Sequence, residues 1–336
     1  MRTLVPPSHV YLRDNIAAKG NPFGAPAKAR AEWAQGLNLP SNGECFFFAG
    51  CGYQFMDRAE TWLKAVRGLE KRGLPVERVL GVSKTLKKVG VDLAGVYGKL
   101  AGSGKTTAYI NALISAVNVL RKLGVNPAYL YDKEPCCGSP LYSSGFEEDF
   151  AENARRTYRL LKSLGVRKLI SLVPACTHTL RNLYPRYVDG FDLEVRHFLE
   201  EVAGRLKNAG IQPALKEEME LTFHDPCQLA RFLGITQEPR EILSRVRNLR
   251  LREVTSTSRE RTTCCGGGGG VEFTFPELSG MLAEERMKEL LETKASVIAT
   301  HCPACLLQLR EARERMRAQV QVLDIAQVLD KALRGG

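Results

Sequence analysis

Cysteines recur in one order in both halves of this chain, and each group follows a short apolar run. In the C-terminal half "LTFHDPCQLARFLG" leads to "TTCCGGGGG", then "ASVIATHCPACLLQL", then "VQVLDIAQVLDKAL". The N-terminal half runs "CFFFAGCGYQF", "KEPCCGSPL", "VRKLISLVPACTHTL" and "FDLEVRHFLEEVAG". Cys137 and Cys176 are 39 positions apart, Cys265 and Cys305 40 apart. Self-similarity on this scale implies two copies of one structural unit, each gathering its cysteines in one place.

The runs ahead of the cysteines set the fold class. "FFFAG" precedes Cys51, "AYLYDKE" the pair Cys136 and Cys137, "KLISLV" Cys176, "LTFHDP" Cys227 and "SVIAT" Cys302, all of strand type. "EDFAENARRTYRLLKSLG" and "ELSGMLAEERMKELLETK" carry apolar residues at three- and four-residue intervals, the helical period. Alternating strands and helices predict two pseudo-repeated, Rossmann-like α/β domains with largely parallel sheets. Ligands of such sheets collect beyond the carboxyl ends of the strands, which is where all these cysteines fall. The expected boundaries are an N-terminal extension over 1–43, a first repeat over 44–212 and a second over 213–336. Cys51 to Cys136 spans 85 positions against 37 from Cys227 to Cys264, so the first repeat carries an insertion of about 48 residues, placed near 56–108.

Composition narrows the class further. The 336 residues, 44% of them hydrophobic, suffice for two ordinary cores. The start, "MRTLVPPSHVYLRDN", has no secretory pattern, and no apolar window reaches the ~18–20 residues that cross a bilayer. A cytoplasmic protein is expected, membrane-associated only through partner subunits. Ten cysteines in that compartment indicate metal or redox chemistry rather than a disulfide framework. The net charge of +11 comes from Lys and Arg interspersed with Glu, as in "EERMKELLETK", without an aromatic-rich basic stripe. That pattern is a solvated surface or an anion-attracting cleft, and no nucleic-acid partner is expected.

Cys227, Cys264, Cys265, Cys302 and Cys305 are five thiols, one more than a closed tetrahedral zinc site uses. Adjacent cysteines also suit an iron–sulfur cluster, whose irons are spaced widely enough for neighbouring side chains to reach separate ones. The alternatives are zinc, read from "CPAC" alone, and a thioredoxin-type thiol pair. The five glycines after Cys265 let backbone approach whatever the thiols hold.

The insertion contains "AGSGKTT". A phosphate-binding P-loop needs glycine five positions before Gly104, and Lys99 stands there, so Lys105 is not expected to serve ATP.

The order "HDPC", "CCGGGGG", "HCPAC", with the partial copy "GC", "EPCCGSPL", "PAC", resembles the cysteine-rich (CCG) domain family. The B and D polypeptides of heterodisulfide reductase belong to it, as do iron–sulfur subunits of glycerol-3-phosphate, glycolate and lactate dehydrogenases. The resemblance covers nearly the whole chain, including "LRDNIAAKGNPFG" ahead of the first copy. It implies a non-cubane 4Fe-4S cluster on Cys227, Cys264, Cys265, Cys302 and Cys305. In the first copy Val173 stands where the second has Cys302, leaving Cys51, Cys136, Cys137 and Cys176 for a second 4Fe-4S cluster of another kind, or for none. Cys45 is read as a core residue, since six strand residues at ~3.3 Å each put it about 20 Å from Cys51.

The implied function is reduction or formation of a thiol disulfide, with electron relay beside a flavin-dependent dehydrogenase as the alternative. His301 adjoins Cys302, His224 lies three positions before Cys227, and both are the candidate proton donors, with hydrogen bonding to the cluster as their blander role. His178 is a weaker candidate in the first copy. No two-cluster ferredoxin run is present, so a separate ferredoxin-like or flavoprotein subunit is the expected partner, with a small thiol or disulfide as substrate.

Overall fold

The computed structural model describes residues 5–70 and 107–335. Among the described residues eight strands form two four-stranded sheets in which every pairing is parallel. The first contains β1 (Cys45–Phe48), β2 (Ala128–Tyr129), β3 (Lys168–Ser171) and β4 (Glu194–His197), in the order β2-β1-β3-β4. The second contains β5 (Ala214–Phe223), β6 (Arg247–Leu251), β7 (Val297–Thr300) and β8 (Gln321–Asp324), in the order β6-β5-β7-β8. Both sheets follow one permutation. The expected pair of Rossmann-like α/β halves is what the chain folds into.

Inner strands are recognisable in sequence because helices cover both faces of a parallel sheet, which forces continuous apolar runs. Phe46, Phe47 and Phe48 of β1 are all buried, as are all four residues of β7. Edge strands obey a weaker rule. β6, "RNLRL", has three exposed and two half-buried residues, so its charged pattern looks like loop although its backbone pairs with β5. The predicted helices appear at Glu147–Ser163, which has Glu147, Glu148 and Asp149 in its first turn where the helix dipole favours anions, and at Pro276–Leu291.

Strand order explains why the cysteines converge. The chain steps from β1 outward to β2, then returns past β1 to β3, and the crevice between diverging connections opens at the carboxyl ends of β1 and β3. Cys51 lies in the first turn of the helix Gly50–Glu70 after β1, Cys136 and Cys137 follow β2, and Cys176 lies in the helix Pro174–His178 after β3. Cys227, the pair Cys264 and Cys265, and Cys302 with Cys305 follow β5, β6 and β7 in the same way.

The two halves share one continuous cluster of buried apolar residues. The helix Ile325–Gly335 crosses from the second sheet to pack on Ala108–Lys122 of the first, and Pro303–Met316 packs on Gly50–Glu70. Polar contacts cross at the cysteine ends of the sheets. Tyr53 donates to Asp324, and Asn182 Nδ2 donates to the Phe232 carbonyl at 3.3 Å. The N-terminal segment straddles both halves: Ser8 hydrogen-bonds Thr274 at 2.8 Å, and Trp33 Nε1 donates to the Tyr129 hydroxyl at 2.9 Å.

Lys105 and most of "AGSGKTT", with the larger part of the insertion, lie outside the described residues. Among the described residues no helix is long and apolar enough to cross a membrane.

Candidate metal centres

The second sheet brings its five thiols into one string. Cys227 neighbours Cys264, Cys264 is followed by Cys265, Cys265 Sγ lies 3.1 Å from Cys305 Sγ, and Cys305 neighbours Cys302. Gly266 makes the turn possible. Its φ of +81° suits glycine, and a Cβ there would lie 2.2 Å from the Ser279 carbonyl oxygen. The turn also aims the Gly266 N–H at Cys264 Sγ, at 3.3 Å.

Thiols this close must share protons. Hydrogen bonds from Cys227 and Cys265 hold Cys264 down at about 2, while the bond to Cys264 and then burial push Cys227 far up. All five can be thiolates together only around positive charge, which is the electrostatic requirement of a metal site. Cys227, Cys264 and Cys302 are half-buried, whereas Cys265 and Cys305 are buried, so this group has an open side.

His224 borders it, while His301, next to Cys302 in the chain, packs its ring on His197 and Phe198, and the two have different tethers. His224 Nδ1 accepts from Arg286 Nε at 3.0 Å, which puts the ring proton on Nε2. Burial, then the Arg286 charge, pushes the imidazole well below its usual range. Nε2 is buried without a hydrogen-bond partner, and a nitrogen of this ring, with Cys265 and Cys305 Sγ, forms a set within 4.8 Å. A buried donor left over beside thiols is the signature expected when a hydrogen-bond acceptor completes the site. His301 differs: Nδ1 pairs with Asp324 Oδ1 at 2.9 Å, and Nε2 is the buried atom without a partner. Asp225, beside His224, is held by Arg240 at 2.6 and 2.9 Å and by the Arg259 N–H at 2.8 Å.

The first sheet builds a four-thiol string. Cys51 neighbours Cys136, Cys136 is followed by Cys137, and Cys137 Sγ lies 3.2 Å from Cys176 Sγ. The bond to Cys137 and burial push Cys136 up to about 12. Val173 fills the place corresponding to Cys302, packed so close to Gly50 that a Cβ on that glycine would lie 2.7 Å from Val173 Cγ2. All four thiols are buried. Strand register also aligns Phe48 with His224, so no imidazole borders this group at that position.

A charged network that the sequence did not reveal lies behind the first group. Arg30, 2% exposed, directs both terminal nitrogens at Cys51 Sγ, each at 3.6 Å, and Nη1 donates to Gln54 Oε1 at 2.9 Å. Glu134 accepts from the Ala49 and Gly50 N–H groups, both at 2.9 Å, and burial pushes its carboxyl up to about 7 against the Arg30 charge. Cys45 sits apart from every other thiol described, half-buried at the opposite end of β1 from Cys51. His178 packs on Phe232 with ring centroids 5.0 Å apart.

Residues 103–181 and 221–310 match the Cysteine-rich domain family, CCG, and these two matches take in just over half of the chain. The chain belongs to the CCG family. Of the two matches, the first includes Cys136, Cys137 and Cys176, and the second includes the complete five-thiol group. Curated relatives of this CCG protein include the D polypeptide of dihydromethanophenazine:CoB–CoM heterodisulfide reductase from Methanosarcina barkeri, 33% identical over 64% of this chain and 53% of the relative. The B polypeptide of the CoM/CoB fumarate reductase from Methanothermobacter marburgensis is 31% identical over 65% of this chain and 42% of its own length. EtfAB:quinone oxidoreductase from Syntrophomonas wolfei is 29% identical, over 65% and 31%. The chain thus spans about half or less of the length of these relatives.

Proposed function

We propose that the protein is an iron–sulfur oxidoreductase subunit of heterodisulfide reductase type, reducing or forming a thiol disulfide at its second repeat. Cys227, Cys264, Cys265, Cys302 and Cys305 would hold a non-cubane 4Fe-4S cluster, and Cys51, Cys136, Cys137 and Cys176 a second 4Fe-4S cluster with four thiolates. The observation that carries the reading is the five-thiol string with three half-buried members and the unpartnered His224 Nε2–H beside it. When bound, such a cluster supplies single electrons and an iron accessible to substrate sulfur.

The chain's own residues then have separable tasks. The open side at Cys227, Cys264 and Cys302 admits a small thiol or disulfide, while buried Cys265 and Cys305 exclude water from the back. His224 cannot take a second proton without facing the Arg286 N–H, so it donates a hydrogen bond through Nε2 and orients what it touches. His301, steadied by Asp324 at Nδ1, is the residue able to hold or pass a proton at Nε2 to a departing thiolate. Partner subunits of ferredoxin-like or flavoprotein type would exchange electrons with the chain.

Protein purified without oxygen should be brown, contain iron and acid-labile sulfide, and turn over synthetic heterodisulfides with a reduced dye. A colourless preparation with stoichiometric zinc sinks the cluster reading. The second reading, electron relay beside a flavin-dependent dehydrogenase, is favoured by the closed first site, since relay needs no substrate access. Reduced protein that passes electrons to a quinone or flavoprotein but leaves disulfides untouched would decide for relay.

A further inference from the structure

The first cysteine group lacks the imidazole of the second, and a guanidinium approaches it instead from outside the repeat. Arg30 comes from the segment ahead of β1, 21 positions before Cys51. Its position is built rather than incidental. Asn21 ties the preceding turn by donating to the Ala25 carbonyl at 2.7 Å and accepting from the Ala25 N–H at 3.0 Å, and Arg30 itself donates to the Gly20 carbonyl. Gln54, one turn beyond Cys51, accepts from Arg30 and donates to Glu134 Oε1 at 2.8 Å. Among the described residues no guanidinium makes a hydrogen bond to a cysteine of the second group.

Charge decides what this arrangement does. Glu134 stands 4.0 Å from Arg30 Nη1, farther than Cys51 Sγ, and its oxygens are already occupied by two backbone N–H groups and Gln54. The guanidinium therefore faces the sulfur. A fixed positive charge with N–H donors on a ligand sulfur stabilises the more negative, reduced state of a metal–thiolate centre, and in a buried site little water screens it.

We infer that Arg30 is a positioning residue that sets the reduction potential of the centre on Cys51, Cys136, Cys137 and Cys176, raising it while leaving the second centre untouched. The inference rests on the proposed cluster at that site. It makes the N-terminal segment part of the electron-accepting machinery, with a charge that holds an electron on the closed site.

The test is a redox titration of the full-length protein followed by paramagnetic resonance. The first centre's signal is identified as the one lost in Cys137→Ser. Arg30→Gln keeps hydrogen-bonding capacity but removes the charge. At a fixed solution potential it should cut the reduced-to-oxidised ratio of that centre about tenfold, about 59 mV for a one-electron couple. The second centre's midpoint should stay in place, and Arg30→Lys should recover most of the shift. Full iron content with an unmoved midpoint in Arg30→Gln overturns the inference alone, as does an equal shift of both centres. Should Arg30→Gln lose iron from the first site, Arg30→Lys decides: iron retained with a midpoint near wild type supports the charge, and a midpoint well below it overturns the inference. Wild-type protein without iron at the first site overturns the underlying cluster reading together with the inference.

Discussion

The two halves share one strand order and differ in how they treat their thiols. The first closes four cysteines inside the protein, with a valine packed against Gly50 and an arginine on Cys51. The second strings five together, exposes three of them in part and sets a buried His224 beside Cys265 and Cys305. Under the proposed function the same backbone would serve opposite ends of one electron path. A buried charge-compensated site suits storage and transfer, and an open site with an extra thiolate suits contact with a substrate sulfur.

That comparison can be broken by experiment. The largest effect is expected for Cys265→Ser, which should remove the second centre's spectrum and lower disulfide turnover by at least about 100-fold, the upper end of what losing a supporting residue alone costs. Cys137→Ser should delete a different spectrum and half or less of the iron. Matching spectra from both centres, with equal loss in either mutant, would show that the halves are equivalent after all. Val173→Cys supplies the missing thiol at a cost of less than about 1.5 kcal/mol, since the two side chains are close in volume. It should move the first centre's spectrum toward that of the second, and an unchanged spectrum would mean that ligand count is not what separates them. Tyr53→Phe removes the hydrogen bond to Asp324 across the halves, and denaturant unfolding should show a loss of about 1 kcal/mol with iron content retained. Lys105→Ala should change neither iron content nor turnover, and tight ATP binding abolished by that substitution would restore the nucleotide reading.

Legibility in the sequence followed burial. β1, β3 and β7 were visible because strands covered on both faces must be apolar, and each was followed by its cysteines. β6 was hidden by its arginines, which an edge strand tolerates. Val173 was visible as the odd residue because the repeat supplied its counterpart. Arg30 was not, since an arginine in "APAKARAEW" has the look of surface charge, and only the fold buries it against Cys51. His301 and His224 were equal candidates in sequence, and their neighbours from distant segments, Asp324 and Arg286, are what separate them.

The chemistry of the donor sets was determined by sequence, because ligand type and the adjacency of Cys264 to Cys265 or Cys136 to Cys137 are covalent facts. So was the α/β alternation, since it follows from local hydrophobic period. The tertiary structure alone decided which thiols meet, which site opens to solvent and which charges face each sulfur. Those depend on strand order and on contacts between residues far apart in the chain. The energy of a buried charge is set by whatever the fold brings within a few ångströms of it, and local sequence carries no record of that.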